Sequence, residues 1–245
     1  MPYREMSMKQ YYVLIGNFGS GKSEISLNLA MNSVKSGKTV LVDLDIVNPY
    51  FRSVERKDEL EQAGVKVHYP VFALTTVDVP SLPPDIYSVF VGDYETVVFD
   101  VGGDPAGATA IGQYRTNFQN VSPENLHVLY IINQRRPLAE TPELVLEMFG
   151  KIQSRSRLPI TGFINNTNLS QESSAEDLLA GYELLREVCA KTGIPVKYTT
   201  GVQAVMDEFL AIAKEKNLDQ TLIGEPKVIT RYMRRDWSSF TEKGV

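Results

Sequence analysis

Short apolar runs alternate along this chain with longer segments whose apolar positions recur at helical spacing. The runs at 11–16, 39–45, 65–72, 96–103, 127–133, 160–166 and 196–200 predict strands. Helices are predicted at 22–37, 141–155, 174–193 and 203–216, with a short one within 86–92 after the Pro-rich turn 80–85. Gly37 is the expected stop of the first helix. Thr141 and Pro142 form a helix start, and Ser174 with Asp177 has the spacing of a capping box. Strands that alternate with helices in this way point to an α/β fold. The expected form is three-layered, a mostly parallel sheet flanked by helices on both faces. Neither repeats nor a Pro/Gly/Ser-rich linker interrupts the pattern, so one domain over 1–245 is expected. The C-terminal tail, 219–245, is expected to be a packed helix.

Composition adds bounds. The 245 residues carry a net charge of −5, with 43% hydrophobic and 22% charged residues, as in ordinary soluble proteins. The whole-surface basic character of many nucleic-acid binders is absent. The single cysteine, Cys189, forms no intrachain disulfide or Cys-pair metal site, and a buried position on a helix is its expected role. The start of the sequence is polar, without an apolar signal core, and no apolar run reaches the length of a membrane span. A cytoplasmic protein is the expectation.

The chemistry begins after the first strand. In GNFGSGKSE, residues 16–24, the residues Gly16, Gly21, Lys22 and Ser23 satisfy G-x-x-x-x-G-K-[ST]. Glycines let the backbone approach phosphate oxygens, and the amides at a helix N-terminus form an anion nest. The loop Gly16, Asn17, Gly19, Ser20, Gly21, Lys22, Ser23 and Glu24 is therefore the expected triphosphate cradle. Lys22 would reach the β- and γ-phosphates, and Ser23 would coordinate Mg²⁺. Two further strand ends carry carboxylates, Asp43 and Asp45 in VLVDLD and Asp100 in VVFDVGG. The carboxyl ends of strands line the ligand crevice of an open parallel sheet. A carboxylate at Asp100 can hold Mg²⁺ through a water, and Gly102 and Gly103 allow a backbone amide near a γ-phosphate.

The order of phosphate loop, DLDIVNPYFRS and FDVGGDPAGATAIG resembles the nucleotide-binding family of MinD, ParA, the iron–sulfur scaffold ATPases, dethiobiotin synthetase and the cobyrinic acid amide synthases. The resemblance spans roughly residues 10–217. It implies a mostly parallel sheet and, often, a homodimer with nucleotide at its interface. It also implies that Asp45 orients the attacking water and joins Ser23 and Asp100 around Mg²⁺, with Asp100 at the Walker B position. Asn166, in GFINN, matches the family's base-reading Asn, with turn chemistry the alternative for Asn165 and Asn166. The sequence departs from the family at Asn17, where many members carry a lysine that crosses the dimer interface. Arg52 is a nearby candidate for that charge. One cysteine does not supply the cluster site of the scaffold members.

The expected activity is that of a Mg-ATP-binding ATPase acting as a nucleotide-dependent switch on a protein partner. Residues 45–55 and 100–113 are its expected moving elements. The alternative is an ATP-dependent small-molecule synthetase resembling dethiobiotin synthetase, its substrate lined by NPYFRS and NQRRP. ATP is favoured over GTP because NNTN lacks the Lys and Asp of a guanine-reading motif. His68 and His127 lie in strand-like segments as structural residues. Arg135 and Arg136 follow a strand end, where a contact with a phosphate or a substrate carboxylate competes with the default, a solvated loop. The tail 227–240 interleaves Arg231, Arg234 and Arg235 with Ile229, Met233, Trp237 and Phe240, a pattern that membrane-surface helices share. Packing on the sheet is the stronger expectation for it.

Overall fold

The computed structural model describes residues 9–45, 56–69 and 84–233. Its eight strands are β1 (Gln10–Gly16), β2 (Thr39–Leu44), β3 (Lys66–His68), β4 (Thr96–Val101), β5 (Leu126–Ile132), β6 (Gly162–Asn165), β7 (Val196–Gly201) and β8 (Glu225–Val228). They form one sheet in the order β3-β2-β4-β1-β5-β6-β7-β8, and every pairing is parallel. The helices are α1 (Lys22–Ser33), α2 (Lys57–Gln62), α3 (Ser88–Val91), α4 (Pro105–Gly112), α5 (Arg115–Gln119), α6 (Pro142–Ser156), α7 (Ala175–Thr192), α8 (Gln203–Glu215) and α9 (Gln220–Ile223).

Two cores flank the sheet, which explains why its central strands are apolar without interruption. On one face Ile25, Leu27 and Ala30 of α1 and Leu60 of α2 pack against Leu14, Leu41, Val98 and Ile131. On the other, residues of α4 to α7, among them Ile111, Phe118, Ile152 and Leu185, cover Val13, Val42, Phe99 and Tyr130. Each fully buried side chain of this kind stabilises the fold by about 1.5–3 kcal/mol relative to exposure. A third cluster joins α7, α8 and α9. The chain leaves β1 toward β2 on the first face and leaves β5 toward β6 on the second. This reversal opens a crevice above their carboxyl ends.

The expected helix starts are present. Thr141 Oγ1 accepts the Leu144 N–H, and Ser174 and Asp177 form the capping box. Two expectations are corrected. The first helix ends at Ser33, not Gly37, because the bonds after it tighten to Lys35 N–H to Asn32 and Ser36 N–H to Ser33. The described part of the tail is not the expected helix. After α9 it forms the edge strand β8, in register with Tyr198–Gly201, and Pro226 is tolerated there because an edge strand has one unpaired side. Arg52, Arg234, Arg235, Trp237 and Phe240, and strand positions 70–72, lie outside the described residues.

Candidate functional site

The chain turns out of β1 through Asn17–Gly21 and enters α1 at Lys22. Gly21 is the N-cap, with φ +92°, and no side chain caps the helix. The first-turn amides thus have no partner from the cap side chain, the arrangement in which helix starts bind anions. A β-carbon on Gly21 would collide with Nδ2 of Asn166, so glycine is required there by both conformation and space.

Lys22 is buried, with Nζ donating to the Asn17 carbonyl at 2.9 Å. Burial lowers its pKa, while the charges of Asp100, Asp45 and Asp104 oppose that shift. Three strand-end and loop carboxylates therefore surround one lysine. Asp43 and Asp100 are register partners on β2 and β4. Asp43 Oδ1 accepts the Asp45 N–H at 3.0 Å, so Asp43 shapes the strand end, while Asp45 lines the cavity. Gly103 sits against the loop. A β-carbon there would lie 2.7 Å from Lys22 Nζ and from the Phe18 backbone. Asp104 accepts the Gly107 N–H at 2.7 Å and caps α4.

The cavity above these residues has a volume of about 380 Å³. Phe18, Gly19, Gly21, Lys22, Ser23, Glu24 and Asp45 line it together with Asn166–Asn168, Thr200, Val202 and Val205. Of the residues expected from the sequence, Gly16 ends β1 opposite Ile131, and Ser20 is buried beneath the loop. The donors that would face Mg²⁺, a hydroxyl and carboxylates, suit that ion. Among the described residues no three His, Cys, Asp or Glu side chains gather into a ready-made metal cage. An ion that arrives with phosphate and keeps several waters needs none.

Asn166 is buried and fully engaged. Its Nδ2 donates to the Ser20 carbonyl at 2.8 Å and its Oδ1 accepts from Thr200 Oγ1 at 2.8 Å. It braces the phosphate loop from the β6 side. Asn165 performs turn chemistry, accepting the Thr167 N–H and donating to the Leu178 carbonyl. Asn17 is also turned inward. Its Nδ2 donates to the Leu138 carbonyl at 3.0 Å and its Oδ1 accepts from Tyr130 at 3.2 Å. That position thus anchors the loop to the turn after β5.

Sequence reasoning missed the strap 229–233. Asn28 exchanges hydrogen bonds with the Thr230 backbone at 2.7 and 2.8 Å. The Glu24 carboxylate accepts the Tyr232 and Met233 amides. Burial raises the Glu24 pKa against the pull of those amides. Ile229, Arg231 and Met233 thereby become cavity lining. A buried Asn in mid-helix was the available signal. Asn133 was missed too. Its Oδ1 accepts the Arg135 and Asn168 amides, tying the ends of β5 and β6. His127 stacks on Tyr12 with centroids 4.5 Å apart and bonds Gln10, as a structural residue. Burial pushes the Cys189 thiol up to about 11, which leaves it inert.

No family model and no curated protein matches this sequence. Solved structures do. FtsY of Thermotoga maritima superposes with a TM-score of 0.53 at 16% identity, over 79% of this chain and 62% of its own. FtsY of Mycoplasma mycoides gives 0.54 at 17%, over 79% and 60%. The signal recognition particle 54 kDa protein of Aeropyrum pernix, in complex with GDP, gives 0.50 at 18%, over 81% and 42%. The chain thus spans less than two thirds of the length of each. The shared architecture is the P-loop NTPase fold, a parallel α/β sheet with helices on both faces.

Proposed function

We propose that this chain is a Mg-ATP-binding P-loop ATPase that works as a nucleotide-dependent switch, of the MinD/ParA-like branch. One observation carries the reading. Lys22, buried at the uncapped start of α1, lines the cavity with Asp45, packs its Nζ near Gly103 and feels the charges of Asp100, Asp45 and Asp104. Lys22 and the loop amides are suited to balance phosphate charge as it develops. Ser23 and Asp100 would hold Mg²⁺, which would supply positive charge to offset that of the phosphates. Asp45 would orient the attacking water.

Adenine suits the neutral part of the lining. Thr167, Asn168, Thr200, Val202 and Val205 offer amide, hydroxyl and apolar groups, and the Glu24 carboxylate is taken up by the Tyr232 and Met233 amides. Adenine needs one donor and one acceptor on its edge, which such groups provide. In this reading a protein partner senses the nucleotide state through the segments after β2 and β4. A homodimer, if it forms across the site, is not bridged from position 17, since Asn17 is committed inward.

The test is phosphate release from Mg-ATP and Mg-GTP by wild type, Lys22→Ala and Asp45→Ala, measured beside nucleotide binding. The reading expects ATP turnover to vanish in both variants and binding to survive in Asp45→Ala. Tight binding without turnover would move weight to an ATP-dependent synthetase awaiting its substrate. Absence of binding by wild type would sink the reading.

A further inference from the structure

The turn after β5 carries two adjacent arginines that the structure sends in opposite directions. Arg135 Nε donates to Asp177 at 2.7 Å, an ion pair with the buried capping carboxylate of α7. Arg136 turns toward the phosphate loop. Its Nε donates to the Gly19 carbonyl at 3.1 Å. Its Cγ, Cδ and Nε lie along Gly19, 3.4–3.8 Å from where a β-carbon would stand. The turn itself is rigidly held. Arg136 N–H bonds the Asn133 carbonyl, Ala139 N–H bonds the Arg136 carbonyl, and Asn17 reaches the Leu138 carbonyl.

Arg136 is therefore positioned by two hydrogen bonds between its turn and the phosphate loop, Arg136 Nε to Gly19 and Asn17 Nδ2 to Leu138, and by two more within the turn. Its side chain lines the cavity beside Gly19 and Lys22. Among the described residues its Nη groups have no carboxylate partner, in contrast to Arg135. A guanidinium held by Nε alone keeps its remaining fork available, and that fork matches phosphate oxygens in geometry. A bound nucleoside triphosphate carries more negative charge than Lys22 and one divalent ion neutralise.

We infer that Arg136 is a polyphosphate-binding residue of this chain, its Nη groups closing over the phosphate oxygens of the nucleotide from the side of the β5 turn. The inference rests on the nucleotide-binding reading above. It assigns to the same chain a cation that position 17 does not offer.

The experiment compares wild type, Arg136→Ala and Arg136→Lys by competition against a fluorescent ATP analogue. The competitors are ATP, inorganic tripolyphosphate and adenosine, at several salt concentrations. Urea unfolding of the unliganded proteins runs alongside. Arg136→Ala is expected to weaken ATP and tripolyphosphate by about 10-fold or more, the range of a charge-assisted bond. It should leave adenosine within about twofold and flatten the salt dependence, because a charged contact is lost. Arg136→Lys should restore part of the affinity. Unchanged tripolyphosphate affinity in Arg136→Ala would overturn the inference. So would an equal loss for adenosine, or a loss explained by a lower urea midpoint, either of which marks a merely structural arginine. Wild type that binds no nucleotide or tripolyphosphate would instead overturn the underlying reading, and the inference with it.

Discussion

The turns that follow β1 and β6 lie side by side above the same crevice, yet they treat their backbones in opposite ways. After β6, side chains absorb the amides. Asn165 takes the Thr167 N–H, Asn133 takes that of Asn168, and Asn168 takes that of Ser170. After β1, the polar side chains are turned away or buried, and the helix that follows begins with an uncapped glycine. Asn and Ser are strong local acceptors that compete for backbone donors. In the function proposed above, an anion site arises where the fold withholds them. The β6 turn cannot cradle phosphate because its own carboxamides have taken that place, and it serves as the brace through Asn166.

Breaking the first turn should have the largest effect. Gly21→Ala places a β-carbon against Asn166 at a left-handed position. It should cost about 1–3 kcal/mol of stability from overpacking and strain. It should also lower nucleotide affinity by well over tenfold, read by urea unfolding and by nucleotide titration. Wild-type affinity would mean that the loop tolerates the shift and that the contact with Asn166 is incidental.

Breaking the brace should matter less and reveal its kind. Asn166→Ala removes the bonds to Ser20 and Thr200 and should destabilise by about 1–3 kcal/mol, since buried partners are left unmade. If Asn166 only braces, ATP and GTP affinities fall by the same factor. A selective loss of ATP would instead make it a base reader, as the family resemblance implies.

The smallest effect separates the two turns by titration. Lys22 has its pKa lowered below the ordinary 10.5 by burial. As pH rises through that lowered value the amine loses its proton, and triphosphate affinity should fall. The unliganded fold moves the other way. The unfolded chain binds the extra proton over this range, so stability attributable to Lys22 rises with pH. Comparing wild type with Lys22→Met by titration at pH 8–10.5 isolates the effect. A wild-type affinity that is flat over this range would show that the lysine titrates as if exposed.

Much of the fold was legible because its signals are local. Continuous apolar runs marked the central strands, Thr141 and Ser174–Asp177 marked helix starts, and glycine spacing marked the phosphate loop. The tail was illegible in the same terms. Its apolar spacing over 229–240 resembles a helix, but just before that spacing begins Glu225–Val228 pair along the edge of β7, and the Ile229 amide continues the pairing to Gly201. Propensity in a short segment yields to such pairing.

Sequence by itself thus determined the alternation of strands and helices, the loop with Lys22 and Ser23, and the acidic strand ends. Each follows from neighbours along the chain, through side-chain period and backbone freedom. Only the tertiary structure decided that Asp45 faces the cavity while Asp43 binds its own backbone, that Arg135 pairs with Asp177 while Arg136 reaches Gly19, and that residues 229–233 strap onto Glu24 and Asn28. Those choices join residues up to about two hundred positions apart. Identical side-chain types stood at the first two of these forks, and the partner that folding brought within hydrogen-bond reach selected the outcome.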